Sequence, residues 1–150
     1  MRFAILAAAA LAIPAAAFAA NPLEDTVLAR QGYYKLMGAN MGVLAAMAKG
    51  DVDYDSTSAQ AAADNMGTLT TYNLRHLFVP GTTSTDMPGK TRLLQAAFDD
   101  MAGVGARGQA LGEAVAAMQA VAGTGKAEMA GALGALGGAC KGCHDNYRAK

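Results

Sequence analysis

Beyond residue 20, apolar side chains recur along the chain at the spacing of helices that bury one face. Val27, Tyr34, Met37, Met41, Leu44 and Met47 fall at intervals of threes, fours and sevens, a core-facing stripe. This first helix begins at Asn21-Pro22, a capping side chain followed by a proline suited to the first turn, with Glu24 and Asp25 complementing the helix dipole. It runs to Lys49, where Gly50 closes it. Polar residues 51–58 lead to a second helix expected over Ala59–Leu77, carrying Met66 and Leu69 and stopped by Pro80-Gly81. A loop rich in Thr, Ser, Pro and Gly, Gly81–Gly89, precedes a third helix expected over Thr91–Ala122 on Leu94, Phe98, Met101, Val104, Leu111, Val115 and Met118. After the turn Gly123-Thr124-Gly125, a fourth helix spans Lys126–Tyr147, with Met129, Leu133, Leu136, Cys140, Cys143 and Tyr147 on one seam.

Residues 1–19 follow a different pattern. Arg2 is the one charge before an apolar run broken only by Pro14 and ending in Ala17-Phe18-Ala19. That is a secretory signal peptide cleaved after Ala19, too short and wrongly flanked to span a membrane. Residues 20–150 then form one domain.

Composition narrows the fold. Both isoleucines, Ile5 and Ile13, belong to the leader, and alanine, methionine, leucine and glycine dominate the rest, leaving little material for strands. The chain reads as all-α, a four-helix up-down-up-down bundle with short connections. In that topology the start of the first helix, the loop between the second and third, and the end of the fourth share one end, so Arg30–Tyr34 and Thr82–Asp86 should lie together there. Twelve basic residues balance twelve acidic ones, so no basic footprint points to nucleic acid.

The chemistry is concentrated in Cys140-Lys141-Gly142-Cys143-His144, which holds the only two cysteines. This is the pattern of covalent c-type haem attachment: on a helix the three side chains address one object, two thiols adding across haem vinyl groups while the His144 imidazole ligates iron. A thioredoxin-like redox pair would want a βαβ setting that the sequence lacks. A zinc site would need His76 as fourth ligand and awkward geometry at adjacent Cys143 and His144. Haem attachment also agrees with export, where unprotected cysteine pairs tend to oxidise. Gly131, Gly134, Gly137 and Gly138 each cost on the order of 1 kcal/mol in a helix interior, which a macrocycle lying against the fourth helix would offset; close helix packing is the plainer explanation.

What meets the other face of the iron decides function. Only Asp145–Lys150 follow the motif, so any second ligand comes from upstream. Arg30 and Tyr34 are four apart on the first helix, placing Arg30 to reach a haem propionate and Tyr34 over the iron; the plainer readings are a solvated charge and a core aromatic. Met37 or Met41 as sixth ligand would instead give a low-spin electron carrier. His76 reads as a partly exposed structural histidine, and Lys141, Arg148 and Lys150 as a solvated charge cluster rather than a docking patch for a redox partner. Gly38 and Gly42 would allow close approach of another helix, within the bundle or across a dimer.

Arg30-Gln31, Tyr34 and Met37, the Pro80-Gly81-Thr82 to Thr85-Asp86 loop, and the run Cys140 to Arg148 together resemble cytochrome c prime over nearly the whole chain beyond the leader. The resemblance implies a periplasmic, often dimeric bundle with one covalent haem c whose iron is five-coordinate and high-spin. Such a protein binds nitric oxide and carbon monoxide and passes electrons. It assigns Cys140 and Cys143 to attachment, His144 to the iron and Tyr34 to the distal position. Arg30, Gln31, Thr85 and Asp86 would contact the haem or its propionates, and Arg148 would border the proximal face. No enzymatic role is expected, because a crowded site without a distal histidine or acid lacks a general acid-base group for peroxide chemistry.

Overall fold

The computed structural model describes residues 21–150, so the expected signal peptide lies outside the described residues. Helix α1 (Pro22–Lys49) starts and stops at its sequence signals. The Asn21 side chain accepts from the backbone of Leu23 and Glu24, and Gly50 takes a left-handed conformation at φ 81°, which a residue without Cβ adopts freely. Helix α2 (Ser56–Thr70) begins at Ser56 rather than Ala59, because Asp55 caps it by accepting from Ser58 N at 2.7 Å.

Helix α2 also ends well short of Leu77. Thr70 and Thr71 turn their hydroxyls back onto the carbonyls of Gly67 and Thr68, and Asn73 Oδ1 accepts from Arg75 N. Such local bonds compete with the helical ladder, and only a 3-10 turn at Arg75–Leu77 follows. The third expected helix is likewise broken. One turn, α3 (Ala96–Asp99), is parted from α4 (Met101–Val121) by Asp100, whose backbone leaves the helical region and whose carboxylate caps α4 at Gly103 N. Helix α5 spans Lys126–Tyr147 as expected. The connection from α2 to α4 is therefore long, not short, and it is tied down by paired backbone: Leu93 bridges Arg148, and Leu94 N donates to Tyr147 O at 2.9 Å.

Helix α1 packs on α2 and α5, and α4 packs on the same two. Their directions follow from the cross-contacts. Tyr33 OH donates to Leu69 O and Asn65 Nδ2 to Asn40 Oδ1, so α1 and α2 run oppositely. Tyr54 OH donates to Ala122 O and Gln119 Nε2 to Asp64 Oδ1, which reverses α4 against α2. Tyr147 OH donates to Asp100 Oδ2, and Gly142 faces Arg107, which reverses α5 against α4. The result is the up-down-up-down four-helix bundle.

The core occupies one half of that bundle. Leu44, Met66, Met118, Met129 and Leu136 are fully buried there with Ala59 and Ala63, the flexible thioethers filling the gaps that alanine leaves. In the other half the helices part around a cavity, and the long loop closes its end.

Candidate haem site

The cavity measures about 930 Å³ and is walled by α1, α4, α5 and the segment leading out of α2, near the upper end of the roughly 300–1,000 Å³ usual for cofactor and ligand pockets. Seven of the residues expected at the site line it: Arg30, Gln31 and Tyr34 from α1, and Cys140, Cys143, His144 and Arg148 at the end of α5. Met37, Leu74, Phe78, Val104 and Leu111 make much of the remaining wall apolar.

The three motif side chains emerge from one wall because α5 continues unbroken through them to Tyr147. Both thiols are free and half-buried, and burial pushes each up from the usual cysteine range, with Arg107 opposing the shift at Cys143. His144 is pushed down, first by burial and then by the charges of Arg148 and Arg92. Its neutral imidazole keeps a lone pair for a metal. Arg148 Nη1 stands 3.4 Å from His144 Nε2. Beyond it a smaller hollow of about 230 Å³ is lined by Arg92, Asp145, Arg148 and Lys150. Lys141 is paired with Asp145.

Arg30 is buried, not a solvated charge. Its Nη1 donates to Leu77 O at 2.7 Å and Thr82 Oγ1 at 3.0 Å, and its Nη2 to Thr82 O at 3.0 Å and Thr91 Oγ1 at 3.2 Å. All four acceptors are neutral, and among the described residues no carboxylate pairs with it. Burial pushes the guanidinium down from its ordinary value, and a buried cation without a counter-ion favours an anionic guest. An apolar cavity with two thiols and an imidazole on one wall and this cation at its edge fits a carboxylate-bearing macrocycle. Gln31 Nε2 donates to Lys90 O at 2.6 Å, so it too fastens the loop at the cavity edge.

Two expected contact residues stand elsewhere. Thr85 and Asp86 are exposed and are not among the lining residues. Asp86 accepts from Thr83 N at 3.1 Å and Thr83 Oγ1 at 2.6 Å, folding that part of the loop on itself. Thr91, Arg92 and Leu93 take the cavity edge instead; the signal for them was weak, since they read as the start of a helix. The glycines are also reassigned. Gly38, Gly105 and Gly108 line the cavity, whereas Gly131, Gly134 and Gly138 have nothing within 4 Å of where a Cβ would sit. Gly38 and Gly42 likewise meet no close neighbour. His76 bonds to Tyr72 at 3.2 Å and is not among the lining residues, so no four-ligand zinc set of Cys140, Cys143, His144 and His76 is assembled.

The α1–α5 register separates the remaining possibilities for the second face. Tyr34 shares the cavity with Cys143, near enough that a thiolate there would raise its phenol further, while the Met41 methyl sits at Gly137. Seven residues of helix, ~10 Å at 1.5 Å each, part Gly137 from His144. Tyr34 is the residue level with the motif. It exposes its ring into the cavity, and burial, followed by Cys143 and Tyr33, pushes its phenol up to about 12.

Comparison with known proteins agrees with this geometry. The cytochrome c' of Cereibacter sphaeroides is 46% identical over 150 residues, covering 100% of this chain and 99% of that one. The cytochrome c' of Allochromatium vinosum is 36% identical over 146 residues, covering 97% and 93%. A solved cytochrome c' structure from Rhodobacter superposes with a TM-score of 0.82 at 45% identity, covering 85% of this chain and 98% of the other. The family described as Cytochrome C' matches residues 25–148, from the first turn of α1 through the Cys-x-x-Cys-His motif to Arg148. With the bundle, the cavity and the motif in one place, the chain belongs to the cytochrome c' family of haem c proteins.

Proposed function

We propose that this is a periplasmic haem c protein in which Cys140 and Cys143 tether the haem and His144 is the single protein ligand to iron. The face toward Tyr34 stays open to nitric oxide or carbon monoxide, and electron transfer is a further role. The observation that carries this is the register: Tyr34, a weak ligand when protonated, is level with the motif, and Met41 is set back along α1. Haem iron supplies one-electron redox chemistry and affinity for small diatomic gases.

The chain's own residues do the rest. Tyr34 crowds the open face with a neutral ring, and the apolar wall gives water few partners there. Arg30 offers its buried charge to a propionate and Gln31 holds the adjoining loop, while Arg148 borders the His144 imidazole. Among the described residues the cavity wall holds no carboxylate and no histidine besides His144, which favours gas binding over acid-base catalysis.

Relatives support the choice of ligand. Cytochrome c prime of Alcaligenes xylosoxidans, 28% and 27% identical in two variant structures with TM-scores of 0.72, has been solved with carbon monoxide and with nitric oxide bound. Another cytochrome c', 32% identical, shows ligand-controlled dimer dissociation. Here Leu28, Leu36 and Val43 form an exposed apolar stripe along α1, the surface on which a homodimer would close. The leader pattern in residues 1–19 supports a periplasmic location; no described helix is long and apolar enough to cross a membrane.

Absorption spectra of the purified holoprotein, with and without nitric oxide, test the function. A spectrum that shifts on stoichiometric nitric oxide is the expected result. Haem that ignores the gas, or a methionine bond to iron through Met37 or Met41, would leave an electron carrier.

A further inference from the structure

Tyr34 does not stand alone. Its ring meets that of Tyr33 edge to face with centroids 5.0 Å apart, and Tyr33 stacks toward Tyr72 at 6.3 Å. The Tyr72 hydroxyl then lies 3.2 Å from His76 Nε2. The first member faces the cavity, the second is buried in the core, and the third exposes half its surface to solvent. Three oxidisable rings in succession therefore join the cavity to the protein surface, and the last has a base on its phenol.

The buried member has no such base. Tyr33 OH donates to the Leu69 carbonyl, which does not take up a proton, and Tyr34 is held neutral by burial. Tyrosine gives up an electron readily only when its phenol proton can leave at the same time. Tyr72 alone meets that condition: with the imidazole proton on Nδ1, His76 Nε2 accepts from Tyr72. The packing of α1 against the end of α2 thus sets a downhill direction for an electron vacancy, outward from the cavity and stopping at Tyr72.

We propose that Tyr34, Tyr33 and the Tyr72–His76 pair form a relay that drains oxidising equivalents from the haem cavity to the surface, a role that rests on the haem-binding function proposed above. The oxidant is a hydroperoxide that reacts adventitiously: the cavity wall offers no acid-base group to speed its turnover, so the relay protects the site and does not make it a peroxidase. Hydrogen peroxide becomes two waters on taking two electrons and two protons, and the relay delivers the electrons singly. At each event Tyr72 loses one electron inward through Tyr33 and Tyr34 while its phenol proton passes to His76, which releases it to water. A one-electron donor of the ascorbate class then returns a hydrogen atom to Tyr72 at the surface. Two such events balance one peroxide, and the solvent protons consumed equal those that His76 releases. Met37 and Met41, which line the same cavity, are thereby spared oxidation to sulfoxide.

The test uses the ferric holoprotein, whose haem content is first confirmed by its absorption spectrum, mixed with one equivalent of hydrogen peroxide and a nitroso spin trap. Peptide mass spectrometry then locates the adduct. An adduct on Tyr72, lost in Tyr33→Phe and Tyr72→Phe and diminished in His76→Gln, with Met37 and Met41 sulfoxide rising in all three, is the expected result. Tyr72 and His76 are both exposed, so their variants leave the fold intact. An adduct on Tyr72 that persists in Tyr33→Phe, or none on Tyr72 in haem-loaded protein, overturns the relay. A chain that carries no haem overturns the proposed function as well.

Discussion

Arg30 holds Thr82 twice, with Nη1 on the hydroxyl and Nη2 on the carbonyl oxygen, both at 3.0 Å. One side chain of α1 thereby fixes a loop distant in sequence, adding Leu77 and Thr91 to the same grip. Arg30→Ala leaves buried acceptors without partners, and chemical denaturation of the holoprotein should show a loss of about 3 kcal/mol. Arg30→Lys should recover only part, because a point donor cannot reproduce the fork.

Glycines on the two faces of the bundle should behave oppositely. Gly131 and Gly134 are helical and face open space, so Gly131→Ala and Gly134→Ala should each stabilise by up to about 1 kcal/mol. Gly105 lines the cavity. Gly105→Phe should lower the yield of haem-loaded protein, read from the ratio of haem to protein absorbance.

Acid lability should trace to carboxylates that cap helices or tie the loop. Tyr147 OH and the Gly103 amide hold the Asp100 carboxyl below the usual range, and the Ser58 and Thr83 bonds do the same for Asp55 and Asp86. Each contribution is complete above the unfolded value of about 4 and is lost as pH falls through the lower folded value. Urea midpoints should therefore drop below about pH 4. Asp100→Asn, which keeps an oxygen for Tyr147 and Gly103, should flatten part of that drop.

The α1 stripe should govern association. Leu36 is 57% exposed between Leu28 and Val43. Leu36→Asp places a charge in any interface built there, and sedimentation should find the parent chain dimeric and the variant monomeric. An unchanged dimer would place the contact on another face.

The bundle was legible because the helix signals are local: Asn21, Gly50 and the Gly123-Thr124-Gly125 turn end elements where they should. The motif at Cys140–His144 was legible because so few chemistries use that spacing. The stretch from Thr70 to Asp100 was not, since hydroxyl and carboxylate side chains there bond to nearby backbone and override apolar periodicity. Arg30 lines the cavity, but its grip on Thr82 and Thr91 depends on a loop path that only tertiary contacts specify. Thr85 and Asp86 fell outside the cavity for the same reason. Tyr34, read as part of the core-facing stripe, is displaced from it by one residue of helical phase, about 100° at 3.6 residues per turn: Tyr33 goes inward and Tyr34 into the cavity.

Tyr34 should limit access to the open face. Tyr34→Ala should speed carbon monoxide association by about tenfold, equivalent to ~1.4 kcal/mol of barrier, and Tyr34→Trp should slow it. Stopped-flow mixing of the reduced holoprotein with the gas reads both.

The most direct measurement is the EPR spectrum of the oxidised holoprotein at neutral pH. Iron held by His144 alone gives a high-spin signal, which Met41→Leu should leave unchanged. A purely low-spin signal that becomes high-spin in Met41→Leu or Met37→Leu would show a thioether on the iron and contradict the open face beneath Tyr34.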